Sequence, residues 1–302
     1  MTVLVFPVGI AAAIALGLGY VLQQRVAATA PLSELMTFRL LLDLMKRRLW
    51  WAGIGSMVVG ELLAGLALQL ANVGLVEPLL STNLLFALVF ANLWCRRRIC
   101  WQEVCGAVLL SAALGVFIAV GDPHDVPAPA PSVLTFVLTV ASVLAAVGVL
   151  VAVARTRGLL AESVLLSIGA GLLYGLQDAG TRAALVVADR HGAAAMLTNP
   201  WAYIVVGAAV LGLLLSQSAF KAARLDYSLP PIAAAEPLAG VLLGVTVLGD
   251  ALSVSIPGLA AEAACLAAMV AGVALIGRSP GLAGHHLIRR GDPEAALVST
   301  DA

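Results

Sequence analysis

Residues 47–80 read RRLWWAGIGSMVVGELLAGLALQLANVGLVEPLL: two arginines and then a long apolar run that contains one carboxylate, Glu61, before it reaches Glu77. The apolar residues are continuous and do not alternate with polar ones, which favours a helix over a strand of a membrane barrel. About 20 residues of this kind cross the ~30 Å hydrocarbon core of a bilayer as a helix. We therefore predict a spanning helix over residues 50–71, with Glu61 close to its middle.

The same pattern recurs along all 302 residues. Hydrophobic residues make up 61% of the chain and charged residues 11%, whereas roughly a quarter of a typical soluble domain is charged. Such a chain lacks the polar surface of a soluble enzyme and offers no basic face to a nucleic acid. We predict an all-α, polytopic transmembrane helical bundle. Its nine full spans are 3–22, 50–71, 75–94, 101–120, 132–154, 163–187, 200–220, 228–249 and 257–277.

One further segment, residues 31–46, has two interpretations. It starts at Pro31, a residue favoured at the first position of a helix, but it contains Glu34, Arg39 and Asp43. It is either a short amphipathic helix, tucked into the bundle or lying at the membrane surface, or a tenth span. Nine spans place the N-terminus outside the cell, and ten place it inside.

The basic residues predict the orientation of the spans, because Lys and Arg accumulate in cytoplasmic loops. The chain has 17 of them, and with alternating spans all but two fall in loops on the same side as the C-terminus. The two exceptions are Arg190, on the opposite side, and Arg182, within a span. We therefore predict a multi-pass protein of the plasma membrane with a cytoplasmic C-terminus.

The chain divides near its middle. Residues 122–131, DPHDVPAPAP, form a Pro-rich external linker between a first transmembrane repeat, 1–121, and a second, 132–277. The polar residues 278–302 are predicted to be a disordered cytoplasmic tail. With an odd number of spans in each repeat the two would have opposite topology, which is typical of secondary transporters with a site at the repeat interface.

Ionisable side chains inside the membrane indicate where that site lies. Each costs about 2.5–3.5 kcal/mol near the bilayer centre on insertion scales, so such residues are usually functional. The spans hold one base, Arg182, and an excess of carboxylates that includes Glu61, Glu77, Asp178, Glu236 and Glu262. This excess suits a cation, an amine or a proton better than an anion. We predict that Glu61 and Glu236 line a central polar cavity and bind a cation or a proton; buried structural carboxylates are the alternative.

A second set of polar residues shares one helix face. Tyr174, Asp178 and Arg182 follow each other at intervals of four residues, and Gln177 lies beside them. Asp178 and Arg182 either neutralise each other within the helix, or Arg182 serves as the counter-ion of a glutamate on another span. The residues predicted to bind the substrate or ion are Glu61, Glu236, Asp178, Arg182, Gln69, Asn83, Tyr174 and Gln177, with Glu61 and Glu236 as the metal ligands.

Three stretches resemble known transporters. Residues 47–80 are similar to NIPA-type magnesium transporters, in which a Trp-rich start, a Gly-Glu pair and a Pro-initiated next helix occur in this order. Residues 216–240, SQSAFKAARLDYSLPPIAAAEPLAG, and the truncated 38–48, FRLLLDLMKRR, resemble the drug/metabolite transporter superfamily, which includes EamA-domain proteins. In layout the resemblance covers roughly residues 3–277. It implies two inverted five-helix repeats that work by alternating access, and it leaves the substrate open.

These observations predict a secondary transporter for a small solute or a cation. The alternatives are a magnesium or other divalent-cation transporter of NIPA type and, from another class, a non-transporting membrane assembly subunit. The chain has no GxSxG, HExxH or P-loop motif, so we expect no enzymatic activity and no cofactor, with Mg²⁺ or a proton as the transported or coupling ion. The expected partners are the lipid bilayer and the substrate, with no nucleic acid, and the sequence leaves open a homodimer.

Overall fold

A computed structural model of the chain describes residues 4–70, 76, 79–80, 82–94, 100–121, 133–192, 194–195, 199–243 and 256–277. Over these residues the fold is all-α, with a turn of 3₁₀ helix at Leu32–Glu34 and no strand. The α-helices are α1 (Val5–Ala28), α2 (Phe38–Met45), α3 (Arg48–Leu70), α4 (Asn83–Trp94), α5 (Trp101–Gly121), α6 (Val133–Ala154), α7 (Leu159–His191), α8 (Pro200–Ala222), α9 (Leu225–Leu243) and α10 (Ile256–Gly277).

Each of the nine predicted spans overlaps one of these helices, because an apolar run can satisfy its backbone hydrogen bonds internally only as a helix. Among the described residues, five helices contain stretches long and apolar enough to cross a membrane: α1, α3, α6, α7 and α8. Shorter apolar helices occur at Asn83–Trp94, Trp101–Phe117 and Ala260–Ile276. The all-α prediction is confirmed for the described ranges, and the chain is a membrane-embedded helical protein.

Residues 31–46 form no continuous helix. After the 3₁₀ turn, Met36 has a φ of 57° and redirects the chain into α2. The Met36 N–H donates to Ser218 Oγ on α8 over 3.1 Å. α2 has eight residues and is about 12 Å long at 1.5 Å per residue, well short of the hydrocarbon core. Three buried leucines hold it against the bundle: Leu40, Leu41 and Leu44.

The long helices form two groups and a central pair. α1 packs against α3 and α4, and α7 packs in the same way against α8 and α9. α5 and α10 pack against each other where two glycines meet: a Cβ on Gly106 would lie 2.7 Å from the Gly272 carbonyl oxygen, and a Cβ on Gly272 would lie 2.8 Å from the Gly106 oxygen. α1 also packs against α8, which joins the two groups.

α6 stands apart from both groups. It packs mainly against α7, and apolar side chains such as Leu138 and Val149 are exposed along it. In a membrane protein a surface of this kind faces lipid. The linker 122–131, which was predicted to precede this helix, and the predicted tail 278–302 lie outside the described residues.

Replacing Gly272 by alanine is expected to lower the midpoint of thermal unfolding of the detergent-solubilised protein. The added Cβ would lie 2.8 Å from the Gly106 oxygen and 3.0 Å from the Leu110 nitrogen, and overpacking of this kind costs about 1–3 kcal/mol. Gly207→Ala on α8 is the matched control, because a Cβ there meets nothing within 4 Å and alanine favours a helix by about 1 kcal/mol over glycine. Equal midpoints for the two variants would contradict this packing.

Candidate functional site

A cavity of about 660 Å³ lies between the two groups of helices. Its wall comes from α1, α3, α4 and α5 in the first part of the chain and from α7 and α9 in the second. This volume is within the range of sites that hold small organic molecules. The cavity is therefore the candidate binding site of the bundle.

Three carboxylates line the cavity from three different helices: Glu61 on α3, Asp178 on α7 and Glu236 on α9. The side-chain amides of Asn83 and Gln177 stand on the same wall. Glu61 and Asp178 are exposed although they line a cavity within the bundle, which indicates that the cavity opens to the surroundings. The described part of the wall contains no Lys, Arg or His, so the site is acidic.

A proline within α9 leaves one backbone carbonyl without its helical hydrogen-bond donor. The helix continues through three prolines, of which Pro237 follows directly after Glu236. Proline has no N–H, so Pro237 cannot donate a hydrogen bond to the carbonyl of Ala233, one turn earlier. Ala233, Glu236 and Pro237 all line the cavity. This places a backbone acceptor next to a carboxylate, a combination that suits a cation.

The rest of the wall is mostly apolar. Tyr20 contributes an aromatic ring, which packs edge-on against Phe220 with ring centroids 6.5 Å apart, and Ser111 contributes a hydroxyl from α5. An acidic patch beside an apolar wall can bind an ion, and it can also bind a molecule with a positive charge and an apolar body. The leucines of this wall are Leu16, Leu80, Leu84, Leu110, Leu114 and Leu229.

Two of the predicted site residues lie away from the cavity wall. Tyr174 Oη and Ser216 Oγ are 2.9 Å apart, and the Tyr174 ring occupies the space beside Gly212. Tyr174 therefore joins α7 to α8. Gln69 is exposed near the end of α3 and does not line the cavity.

Other predictions are not tested by the structure. The side chain of Arg182 lies outside the description, so its pairing with Asp178 and its counter-ion role remain predictions. Glu77 is also outside the described ranges. Within those ranges no three His, Cys, Asp or Glu side chains are grouped to hold a metal ion. The assignment of Glu61 and Glu236 as metal ligands stays a prediction.

Two glutamines close the bundle one turn beyond Tyr20, towards the Arg25 end of α1. Gln217 Nε2 on α8 donates to Gln23 Oε1 over 2.5 Å, and Gln23 Nε2 lies 2.8 Å from Met57 Sδ on α3. Gln23 is 3% exposed and Gln217 0% exposed. The pair therefore ties α1 to α8 and excludes solvent at this end.

Neighbouring contacts extend this closure. Lys221 Nζ donates to the carbonyl oxygen of Ala28 over 2.7 Å, which again joins α8 to α1. Ser163 Oγ donates to the Ala219 oxygen over 2.9 Å and joins α7 to α8. This end of the bundle is held by polar contacts between helices, whereas the other end contains the open acidic cavity.

A closure made of amides is easier to reverse than one made of aliphatic side chains. Exposing a buried leucine costs about 1.5–3 kcal/mol. A hydrogen bond between two amides contributes only about 0.5–1.5 kcal/mol net, because water replaces it on opening. Gln217 Oε1 is buried without a hydrogen-bond partner among the described residues, so water that enters would satisfy it.

The sequence predictions missed Tyr20, Gln23 and Gln217. A sequence repeat could have pointed to Tyr20 and Gln23. Residues 17–23, GLGYVLQ, recur as residues 171–177, GLLYGLQ, with five of seven positions identical. This repeat pairs Tyr20 with a tyrosine of α7 and Gln23 with a glutamine of α7.

The two copies of the repeat also pack alike. A Cβ on Gly17 would lie 2.8 Å from the Asn83 oxygen of α4, and a Cβ on Gly171 would lie 2.9 Å from the Ile232 oxygen of α9. In each copy the first glycine allows close approach to the backbone of a cavity-lining helix, where a larger residue would not fit. α1 and α7 thus occupy equivalent positions in their groups.

Cysteine labelling tests whether the cavity holds water. In a background without the four native cysteines, Ala233→Cys is expected to react quickly with a water-soluble, membrane-impermeant thiol reagent, because the residue lines an open cavity. Val206→Cys on α8 is the control; Val206 is 63% exposed on the lipid-facing surface and is not part of the cavity wall. Equal protection of both cysteines would contradict a water-accessible cavity.

The chain is 29% identical over 253 residues to an uncharacterized protein of Corynebacterium glutamicum, and the alignment covers 81% of this chain and 84% of that protein. No family model matches the chain, and no solved structure matches it. The likeness extends over most of both chains.

Proposed function

We propose that this protein is a secondary transporter that moves a small solute or a cation across the plasma membrane by alternating access. One observation carries the proposal: a cavity inside a membrane-embedded bundle is lined by carboxylates from both groups of helices. Sites at the interface of two helix groups near the membrane centre are typical of secondary transporters. The mechanism would open this cavity to each side of the membrane in turn.

The charge of the cavity supports a positively charged cargo. Glu61, Asp178 and Glu236 face a space whose described wall has no basic side chain. Like charges in a medium of low dielectric constant repel each other, so a bound cation or a proton stabilises the site and an anion does not. A proton on one of these carboxylates would provide the coupling ion for exchange against a cationic substrate.

We propose nine spans, with the N-terminus outside and the C-terminus in the cytoplasm. The eight-residue α2 is too short to cross the hydrocarbon core and would lie at the cytoplasmic surface. The accumulation of Lys and Arg in the loops on that side supports this orientation.

In this topology α1 runs inward and α7 outward, so the two groups have opposite directions. We propose inverted repeats of four helices each, α1, α3, α4 and α5 against α7, α8, α9 and α10, with α6 crossing between them. This differs from the five-helix repeats that the family resemblance implies. The proposal is supported by the recurrence of residues 17–23 as 171–177 and by the similar packing of the two glycines.

Membership of the drug/metabolite transporter superfamily, close to its NIPA-like and EamA-domain members, is part of this proposal. It rests on the resemblance of residues 47–80 and 216–240 to those proteins. The two stretches together supply Glu61 on α3 and Glu236 on α9, which line the same cavity.

A thermal-shift screen of the purified protein with amines, amino acids and divalent cations tests the class of ligand. A ligand at 100 times its Kd stabilises the folded state by about 2.7 kcal/mol, which should raise the unfolding midpoint by several degrees. The shift should be lost in Glu61→Gln and Glu236→Gln and kept in Glu262→Gln, because Glu262 on α10 is not part of the cavity wall. Stabilisation by anions alone would contradict the proposal.

Uptake of the stabilising compound into proteoliposomes then tests transport itself. Glu61→Gln should lower uptake on the order of tenfold, the effect of about 1.4 kcal/mol of lost binding. Glu262→Gln should leave uptake unchanged. Binding without uptake in the native protein would favour a non-transporting assembly subunit, and in that case Ala233→Cys should be protected by partner proteins in cells but not after purification.

A magnesium or divalent-cation transporter of NIPA type is the second candidate. Mg²⁺ keeps several of its waters and binds through one or two carboxylates, and a roomy cavity that contains Glu61 and Glu236 suits such a hydrated ion. Mg²⁺ uptake by proteoliposomes that is lost in Glu61→Gln would favour this candidate. Mg²⁺ uptake that does not change in Glu61→Gln would exclude a role of this carboxylate in it.

A further inference from the structure

The two copies of the repeated stretch end in glutamines that have different surroundings. Gln23, on α1, is buried and hydrogen-bonded to Gln217 of α8. Gln177, its counterpart on α7, is half-buried on the cavity wall next to Asp178. One copy therefore closes the bundle, while the other faces the open space.

Gln217 has a counterpart as well. α3 packs against α1 as α8 packs against α7, so α3 is the helix equivalent to α8. Residues 65–71, GLALQLA, resemble residues 212–219, GLLLSQSA, and the second stretch is one residue longer. In this comparison Gln69 corresponds to Gln217.

Gln69 and Gln177 lie at similar depths in the bundle. Gln69 is 21 residues after the start of α3, and Gln177 is 18 residues after the start of α7. At 1.5 Å per residue they are roughly 30 Å and 27 Å from the end of the bundle at which both helices begin. Gln23 is also 18 residues after the start of α1, which begins at the opposite end.

The helices that carry the two pairs differ in their packing. α1 and α8 are in contact along their shared end. The equivalent helices α3 and α7 share no extended interface over the described ranges, and they face each other across the cavity with Glu61 on one side and Asp178 on the other. The structure therefore has one end closed and the equivalent contact at the other end open.

From this arrangement we infer that two equivalent glutamine pairs close the cavity alternately: Gln23–Gln217 in the present state, and Gln69–Gln177 at the other end in the opposite state. The inference rests on the proposed function, because only a cavity that opens to each side in turn needs two closures. When α7 moves onto α3, the amides of Gln69 and Gln177 meet and seal Glu61 and Glu236 from that side. In this role the four glutamines act by positioning the helices.

An amide pair suits a reversible closure. The two amides bond to each other when the helices meet and to water when they part, so water replaces the hydrogen bond that opening breaks. An aliphatic pair would hold the closed state through burial of apolar surface. Replacing both partners, Gln23→Leu with Gln217→Leu, is therefore expected to hold this end closed and to slow the transition to the other state, because neither leucine leaves a buried amide unpaired.

Cross-linking of cysteine pairs in the full-length protein tests the inference without knowledge of the cargo. In a background without native cysteines, a protease site in residues 122–131 separates the halves, and a short bifunctional thiol reagent reconnects them only when the two cysteines meet. Gln23→Cys with Gln217→Cys should link most molecules in membrane vesicles. Gln69→Cys with Gln177→Cys should link progressively as molecules visit the opposite state. Gln23→Cys with Gln177→Cys is the matched control and should stay unlinked.

Adding Gln23→Leu and Gln217→Leu together to the Gln69–Gln177 cysteine pair should slow its linking severalfold. Linking of this pair no faster than the control, or at a rate that the double leucine change does not alter, would overturn the inference, as would failure of the Gln23–Gln217 cysteine pair to link. The readout is a gel shift, so it does not depend on transport. If both pairs link but no solute is carried, the proposed function fails while the alternating closure stands.

Discussion

The arrangement depends on one electrostatic constraint: three carboxylates surround a single cavity inside a membrane-embedded bundle. An ionised group in the bilayer costs several kcal/mol, and like charges around one space add to that cost. The cavity must therefore contain water, protons or a cation. The surrounding helices meet this demand by leaving about 660 Å³ between them, and Pro237 adds a backbone oxygen beside Glu236 by interrupting the hydrogen bonds of α9.

The cavity needs water or a cation, whereas the end of the bundle at Gln23 and Gln217 excludes water. In the proposed transport cycle the cavity admits water on one side and excludes it on the other, and the two sides must be able to exchange. Gln23 and Gln217 meet both needs, because they are fully packed yet held by one amide–amide hydrogen bond. The two features follow each other along α1: Tyr20 lines the charged cavity, and Gln23, one turn later, belongs to the polar closure.

Much of the fold could be predicted from the sequence, because helix formation in a membrane is a local matter. Each apolar run must satisfy its own backbone hydrogen bonds, so run length alone located the helices. The cost of buried charge similarly pointed to Glu61, Asp178 and Glu236, which the structure brings to one cavity. Helix-face spacing was less informative. It grouped Tyr174 with Asp178, but Tyr174 contacts Ser216 on α8 instead of the cavity.

By itself, the sequence determined that the chain is helical, that it is embedded in a membrane and that its interior is acidic. Only the tertiary structure decided which helices are partners: α1 with α3, α4 and α8, and α7 with α8 and α9, leaving α6 at the side. It also decided that Gln23 meets Gln217, 194 residues away. Periodicity and hydropathy report the environment of a residue along its own helix. Contacts between helices depend on where small residues such as Gly17 and Gly171 let two backbones approach, and this is settled only when all the helices pack together.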